Sequence, residues 1–571
     1  MPNNISPGVY TKIIDLSEYV ASIPGTIGFI PILCEKGPDN ELIRTNSIDF
    51  YKMFGEPNIN YLGKAFGSGP YVADSFLRES DSLYVIRCLP EELGEGITSA
   101  AWSNLTISVD TTGTTSVSTI TTLNNEADIT SELGSGTPEV AVIFYGKGRG
   151  EYYNNIRIKL TAPSNTLLTN QYILDIYQKQ ISEDAESGYP QYGIIETFNV
   201  SFDNTKLDES GESMWIEDVI NKYSTTLKCK ADVEVCKSGN TALADWSEDF
   251  DEFELTDGDN YSYANPKFNL SNGSSGSLFN ENGSVNTTVA TQLLTNAYAG
   301  TLKKLNGQVL NDVLNTEDFY FTIVLDGGYP TDVKTSGINT LVQSRKDCVA
   351  LVDNGDNAAA STALTARANN HTFNTSYIAM YEPYNKIYDP YTGRDIWITP
   401  IFHLANIVPY TDNVGEIWSA AAGFNRATIA NIKELRFNPG LSDRDQLYLQ
   451  QINPIVKFNV GYTVWSQLTS QKRPTALQDL NISRLVLYIK RALSEFCKYY
   501  IFEQNDEETW SAISIQINNF LKTIQNRRGL DSYSISVGAD EYERKQKKIH
   551  CNVTLQPTRV VEKIDLNFYI L

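Results

Sequence analysis

Apolar and polar positions alternate from the start of the chain. After the turn Ser6-Pro7-Gly8, Val9, Thr11 and Ile13 fall on one side and Tyr10, Lys12 and Ile14 on the other, which predicts a strand. Over residues 25–87 the pattern becomes α/β. GTIGFIPIL reads as a buried strand, 47–54 and 71–77 as helices, and SLYVIRCL as a second strand. The same pattern returns near residue 318: FYFTIVL is a strand, GINTLVQSRK a helical crossover and DCVALVDN the next strand. This is one βαβ unit of a parallel sheet.

Between these two stretches, from about 95 to 310, the chain is rich in Thr, Ser, Asn and Gly. TTGTTSVSTITT and NLSNGSSGSLFNENGSVNTT read as turns and loops, with strands such as VAVIFY and NIRIKL among them. We expect a β-rich insertion on the solvent side of a domain assembled from 21–94 and 311–400. The final 170 residues carry the clearest periodicity. A helix over 481–502, capped by Asn481, aligns Ile482, Leu485, Val486, Ile489, Leu493, Phe496 and Tyr500. A second opens on the capping box Asn505-x-x-Glu508 and aligns Trp510, Ile513, Ile517, Phe520 and Ile524. It closes on Arg527, Arg528 and a C′ glycine, Gly529. Strands YSISV and IHCNVTL follow. In the latter, Ile549, Cys551, Val553 and Leu555 oppose His550, Asn552 and Thr554. Ile564, Leu566, Phe568 and Ile570 form a last alternating segment.

Composition narrows the function. The 571 residues carry 46 Lys/Arg against 69 Asp/Glu, a formal charge of −23, which would repel phosphates and argues against a general nucleic-acid binder. No apolar run reaches the ~18 residues of a membrane span, and the opening residues lack the pattern of a secretory signal. Seven scattered cysteines (Cys34, Cys88, Cys229, Cys236, Cys348, Cys497 and Cys551), with no C-x-x-C pair, read as reduced and mostly buried thiols. GxSxG, HExxH and GxxxxGK[ST] are missing. GKGRG at 146–150 lacks the third glycine of a dinucleotide fingerprint and reads as a surface turn. His371, His403 and His550 have no partner at metal or triad spacing. The acidic run DWSEDFDEFELTDGD, in a stretch (200–260) of net charge −11, lacks EF-hand spacing and reads as a solvated face. No catalytic, cofactor or metal site is expected.

Two features point instead to assembly. Both ends of the sequence alternate like strands that need a sheet. They can pair within the chain or lend themselves to neighbouring copies by β-augmentation, which repeated head to tail gives a ring or a helical polymer. On the 481–502 helix, Arg484, Arg491 and Lys498 recur every seven residues, with Lys490 beside them, opposite the apolar stripe. Residues 483–571 carry a net +2 while 1–482 carry −25. That basic face is either solvated or a dock for an acidic partner.

These residues resemble the contractile tail sheath proteins of bacteriophages. SPGVYTKIIDLS is similar to the family's opening arm, and GTIGFIPILCEKGPDNELIRTNSIDFYKMFG to its first α/β segment. YGKGRGEYYNNIRIKL, SRKDCVALVDN, SYIAMYEPYNKIYDPYTG and AAAGFNRATI follow in family order. INPIVKFNVGYTVWSQLT and NISRLVLYIKRALSEFCKYYIFEQNDEETW then lead into the terminal strands. Ser466 stands where the family usually has glycine, and Pro409-Tyr410-Thr411-Asp412 lacks the glycines common before it.

The resemblance implies a multidomain α+β and α/β fold: an arm at 1–20; a middle α/β domain from 21–94 plus 311–400; an outward β-rich insertion at 95–310; a C-terminal sheath domain at 401–555; and an arm strand at 556–571. It implies a non-enzymatic subunit without cofactor, part of the virion tail and assembled in the host cytoplasm. Its partners would be copies of itself in stacked six-fold rings, the tail tube protein, and baseplate and tail terminator proteins. Contraction would drive the tube through the host envelope. Val9, Tyr10, Thr11, Ile13, Ile564, Leu566, Phe568 and Ile570 would form the arm strands, and Arg484, Lys490, Arg491 and Lys498 the tube contacts. A non-viral contractile injection machine shares this pattern; a β-rich glycan-binding adhesin and an uncharacterised hydrolase are readings of other classes.

Overall fold

The computed structural model describes residues 25–91, 96–109, 115–161, 171–180, 191–237, 253–256, 260–263 and 269–566. The strand expected around Val9, Tyr10, Thr11 and Ile13 lies outside the described residues, as do Phe568 and Ile570.

Nine strands form one large sheet. In chain order they are β1 (Gly28–Ile32), β2 (Ile43–Thr45), β3 (Leu83–Arg87), β4 (Ile323–Leu325), β5 (Val349–Asp353), β6 (Ile378–Glu382), β7 (Thr428–Ile429), β8 (Ile452–Phe458) and β9 (Gly461–Val464). Side by side they run β7-β9-β8-β6-β5-β4-β1-β3-β2. The six central strands are parallel, and β2, β9 and β7 close the edges antiparallel. Parallel strands need crossovers, and these supply the helices α1 (Ser47–Phe54), α2 (Gly69–Leu77), α3 (Thr287–Ala299), α4 (Asn339–Arg345) and α5 (Ile401–Val414). Both sheet faces are covered, so the strands read as continuous apolar runs. Ile30, Ile32, Leu83 and Val85 meet α1, α2 and α5 on one face. Phe29, Tyr84 and Ile86 meet α3 and α4 on the other. The helix expected at 47–54 begins where Asn46 Oδ1 accepts from the Asp49 N–H at 2.9 Å, and it buries Phe50 and Phe54.

The described insertion contains three antiparallel sheets. One has four strands (Asn104–Val109, Thr115–Ser118, Glu139–Gly146, Leu227–Ala231), one has three (Ile156–Thr161, Tyr172–Gln180, Gln191–Val200) and one is a two-stranded hairpin (Phe253–Thr256, Asn260–Tyr263). Three expectations need correction. Residues 276–310 do not continue the insertion: Val289, Leu293, Leu294, Ala297 and Tyr298 of α3 pack into the large sheet's core. The Thr/Asn-rich composition of this stretch masked a helical i, i+4 pattern. The large sheet also does not stop near 400, because β7, β8 and β9 extend it through 428–464. GKGRG is no surface turn. Arg149 is fully buried, its Nε 2.8 Å from Asp39 Oδ2, with Glu91 as a second partner. Buried Arg87 donates to four carbonyls, those of Cys34, Glu35, Gly37 and Arg149, at 2.8–3.0 Å. These two guanidiniums fasten the insertion to the sheet.

A second buried polar cluster closes the carboxyl ends of the parallel strands, where open α/β sheets usually hold ligands. Here the crevice between β1 and β4 is filled by the Tyr329 ring, whose hydroxyl donates to the Pro31 carbonyl at 2.6 Å. Gly69 makes room for it, since a Cβ there would collide with the Tyr329 hydroxyl. Asp326 and Asp353 share Lys334. Burial alone would lower the Lys334 pKa, but the two carboxylates hold it above its ordinary value. Glu382, at the end of β6, makes no ion pair among the described residues. Its Oε1 accepts from the side-chain amides of Asn354 and Asn357, and its Oε2 is unpartnered. Burial raises its pKa well above 4.5.

Two outcomes follow from these clusters. Arg149→Leu strands Asp39 without its guanidinium, and chemical denaturation should register a loss of about 3–5 kcal/mol. A loss below 1 kcal/mol would remove the joint's importance. For Glu382, the fold keeps a proton that the unfolded chain releases, so its contribution is complete below pH 4.5 and is lost as pH rises. Glu382→Gln mimics the protonated form and should gain on wild type by about 1.4 kcal/mol per pH unit above 4.5. A constant gap in melting stability between pH 4.5 and 7 would contradict this.

Candidate assembly interface

Beyond the large sheet, residues 480–557 build a small unit with its own core. It consists of α6 (Leu480–Lys498), α7 (Glu507–Asn526), β10 (Leu530–Gly538) and β11 (His550–Pro557). Leu485 and Ile489 of α6 meet Ile513, Ile517, Leu521 and Ile524 of α7, as the apolar spacing requires, with Leu521 added to the expected seam. The caps differ by a residue or two from expectation. Asp479, not Asn481, precedes α6, and Asp506, not Asn505, caps α7 by accepting from the Thr509 N–H at 3.0 Å. Asn481 is instead buried, accepting from Gln467 Nε2 at 2.9 Å and donating to the Trp418 carbonyl at 3.0 Å. After α7 the left-handed residue is Arg528, with φ 65°, rather than Gly529. Gly529 is needed for closeness: a Cβ would lie 2.6 Å from the Ile524 side chain and 3.0 Å from Trp418.

The heptad of basic residues does not form one open stripe. Arg484 is buried and grips Asp412 of α5 with both nitrogens, so its expected place on the solvated face is corrected. The surface opposite an apolar stripe stays open only on a helix packed from one side, and α6 is packed from two. It crosses the chain just before β4, β5 and β6. There Arg491 donates to the Thr316 carbonyl at 3.0 Å, lies 4.7 Å from the Tyr320 ring centroid and pairs with Glu495 at 2.9 Å. Burial pushes the Tyr320 hydroxyl up to about 12, against the pull of Arg491. Lys490 is exposed and reaches the Lys346 carbonyl at 2.9 Å, and exposed Lys498 pairs with Glu495 at 3.2 Å.

β10 and β11 form an antiparallel ribbon, with Ile535 opposite Val553 and Tyr533 opposite Leu555. These four side chains lean on the α6–α7 core. The other face is polar, with His550 exposed and 2.8 Å from Glu543, as the alternation predicts. Among the described residues no third strand joins the ribbon, so both long edges keep unpaired backbone groups. Past the ribbon, residues 558–566 form no strand, and Ile564 and Leu566 are exposed. Tyr448 donates to Glu562 at 2.7 Å, holding this segment beside a groove near Trp465. Tyr499, Ile501 and Phe502, expected inside the helix, instead form an exposed turn after α6. The uninterrupted run YYIF was the available signal, because a one-sided amphipathic helix would not place apolar side chains all round its last turn. Cys34, Cys88, Cys229, Cys236 and Cys348 are buried free thiols; Cys497 is half-buried and Cys551 exposed. Among the described residues, no cluster of ligands suited to a metal occurs, and no helix is long and apolar enough to cross a membrane.

Residues 472–571 match the phage tail sheath C-terminal domain. The chain is 28% identical over 291 residues to the tail sheath protein of Vibrio phage KVP40, covering 45% of this chain and 43% of that protein. It is 28% identical over 206 residues to the tail sheath protein of Enterobacteria phage T4, covering 35% and 31%. The matched stretches thus span less than half the length of these relatives. In fold, the chain is similar to a sheath tail protein from Listeria innocua, with TM-score 0.52 and 12% identity over 94% of this chain and 93% of that one. A sheath tail protein from Desulfitobacterium hafniense gives TM-score 0.51 and 10% identity over 98% of both. The α6–α7 unit with its ribbon thus lies within the stretch that matches the phage tail sheath C-terminal domain, and parts of the chain are similar to phage tail sheath proteins.

Proposed function

We propose that this chain is the structural subunit of a contractile phage tail sheath. Copies assemble as stacked six-fold rings around a tail tube, between a baseplate and a tail terminator, and contraction drives the tube through the host envelope. The single observation that carries this reading is the β10–β11 ribbon, which no third strand joins among the described residues, in a chain whose 1–20 and 556–571 segments have strand alternation. A ribbon of two strands is marginal by itself, and pairing with strands from neighbours satisfies its edges. Val9, Tyr10, Thr11 and Ile13 from one neighbour, and Ile564, Leu566, Phe568 and Ile570 from another, are the strands assigned to those edges. The arms then keep subunits joined while the subunit bodies rotate and slide. The subunit does mechanical rather than catalytic work, taking it from better contacts in the contracted lattice. Negative-stain microscopy of the purified chain tests this directly: hollow striated cylinders are expected, and monodisperse compact particles at high concentration would refute it.

Removing residues 1–15 should abolish cylinders or their contraction while the melting temperature stays within a degree or two of wild type. Normal contractile cylinders from that deletion would exclude the strand exchange. For the tube, Lys490 and Lys498 are the exposed cations of α6, whereas Arg484 and Arg491 already hold Asp412 and the Thr316 carbonyl. Lys490→Glu combined with Lys498→Glu should weaken co-sedimentation with tube about tenfold and leave folding intact. Unchanged co-sedimentation would move the tube contact off this helix.

A further inference from the structure

The described surface concentrates large apolar side chains in two places. The first is the turn after α6, where Phe502 is 100%, Tyr499 76% and Ile501 59% exposed. Phe502 also has φ 77°, a left-handed conformation rare for a bulky residue, and the turn presents its ring straight to solvent. The second is a groove of about 610 Å³ between Leu441, Tyr448, Leu449 and Trp465 on one side and Val560 and Val561 of the chain's own C-terminal segment on the other. Leu441 and Leu449 are 70% and 71% exposed. Phe424 and Phe458 continue the apolar surface, with ring centroids 5.0 and 4.5 Å from that of Trp465. Contiguous apolar patches of this kind on a folded chain mark binding surfaces.

One is convex and the other concave, and their charges are matched where the aromatics lie. The turn runs directly into Glu503, Asp506, Glu507 and Glu508, all exposed. The aromatic end of the groove carries Arg444, 5.5 Å from the Phe458 ring centroid, together with exposed Arg426 and Lys457. The groove is also lined by Asp445 beside Arg444, and by Glu562, which Tyr448 holds, beside Lys563. The two patches also sit at opposite ends of one rigid rod. Groove residue Gln467 bonds to Asn481 in the first turn of α6, and the apolar turn begins just past Lys498. Nineteen helical residues separate them, roughly 28 Å, so they cannot meet within a chain.

We infer that the Tyr499–Ile501–Phe502 turn of one copy seats in the Leu449–Trp465 groove of the next. The contact is heterologous and head to tail, the type that propagates into rings or helical polymers. It rests on the sheath reading above and adds to the arm exchange a side-chain contact with its own register.

The test uses the full-length chain. Phe502→Asp and, separately, Leu449→Asp change exposed positions, so melting should not move, while the concentration needed for polymerisation should rise at least tenfold. In a background lacking Cys497 and Cys551, mixing Phe502→Cys with Leu449→Cys subunits should give a disulfide-linked dimer under mild oxidation that neither gives alone. Cylinders that form normally from both Asp variants, or that form without any cross-link, overturn the contact and leave the sheath reading standing. A cross-link without wild-type cylinders sinks the sheath reading and keeps the contact. Suppression of the link by a peptide of residues 1–24 assigns the groove to that segment, and Asp variants that polymerise but release the tube assign it to the tube; either outcome overturns the inference.

Discussion

Backbone pairing is the constraint on which the rest of the molecule depends. A strand pair leaning on two helices satisfies its inner hydrogen bonds and buries one apolar face, but it leaves two rows of donors and acceptors facing outward. Natural folds usually blunt such edges with charges, bulges or a covering loop, because an open edge recruits another chain. Here β10 and β11 are nine and eight residues long. Edges of that length are a hazard in a monomer and an asset in a subunit designed to be joined. The proposed polymer is the state in which those groups are paired.

The body that carries the ribbon is built to resist deformation. Ionic contacts brace its interior: Arg87 and Arg149 tie the insertion to the sheet, Lys334 bridges Asp326 and Asp353, and Arg484 fastens α6 to α5. Buried pairs like these add little net stability over an apolar core, yet breaking one costs several kcal/mol, so they favour one arrangement over near alternatives. Tyr329 fills the crevice where a sheet of this topology would accept a ligand. Rigid bodies joined through edges can transmit a displacement that a soft body would absorb.

Local periodicity made much of this fold legible. The helix at 47–54, the crossover between FYFTIVL and DCVALVDN, and the Ile513–Ile517–Ile524 seam all follow from spacing alone, because one face of each must be buried. What spacing could not reveal was packing from a second side. Arg484 looked solvent-facing because it lies opposite an apolar stripe, and only the three-dimensional proximity of Asp412, 72 residues earlier, turns it inward. GKGRG looked like a surface turn because Gly and Lys favour turns. Its arginine is buried by partners at Asp39 and Glu91, which no local window contains. Composition misled at α3, where Thr and Asn sit among Ser/Asn/Gly-rich neighbours while Val289, Ala290, Leu293, Leu294, Ala297 and Tyr298 make a buried face. The candidate interface was half legible: strand alternation gave the ribbon, whereas its open edges exist only because no other described part of the chain reaches them.

The two kinds of contact differ in what they would contribute to a lattice that changes shape. Strand addition is directional but repetitive, since a shift by two residues restores every hydrogen bond, so arms alone define partners better than register. An aromatic knob in a pocket has one position, and losing it costs the whole of its buried area. Placed at the two ends of α6, turn and groove would fix the spacing between successive subunits by the length of a single helix. A lattice held by arms throughout, with its knobs seated in one state and withdrawn in the other, would have two discrete geometries rather than a continuum. In the proposed sheath that bistability would come from a difference in buried surface between the two states.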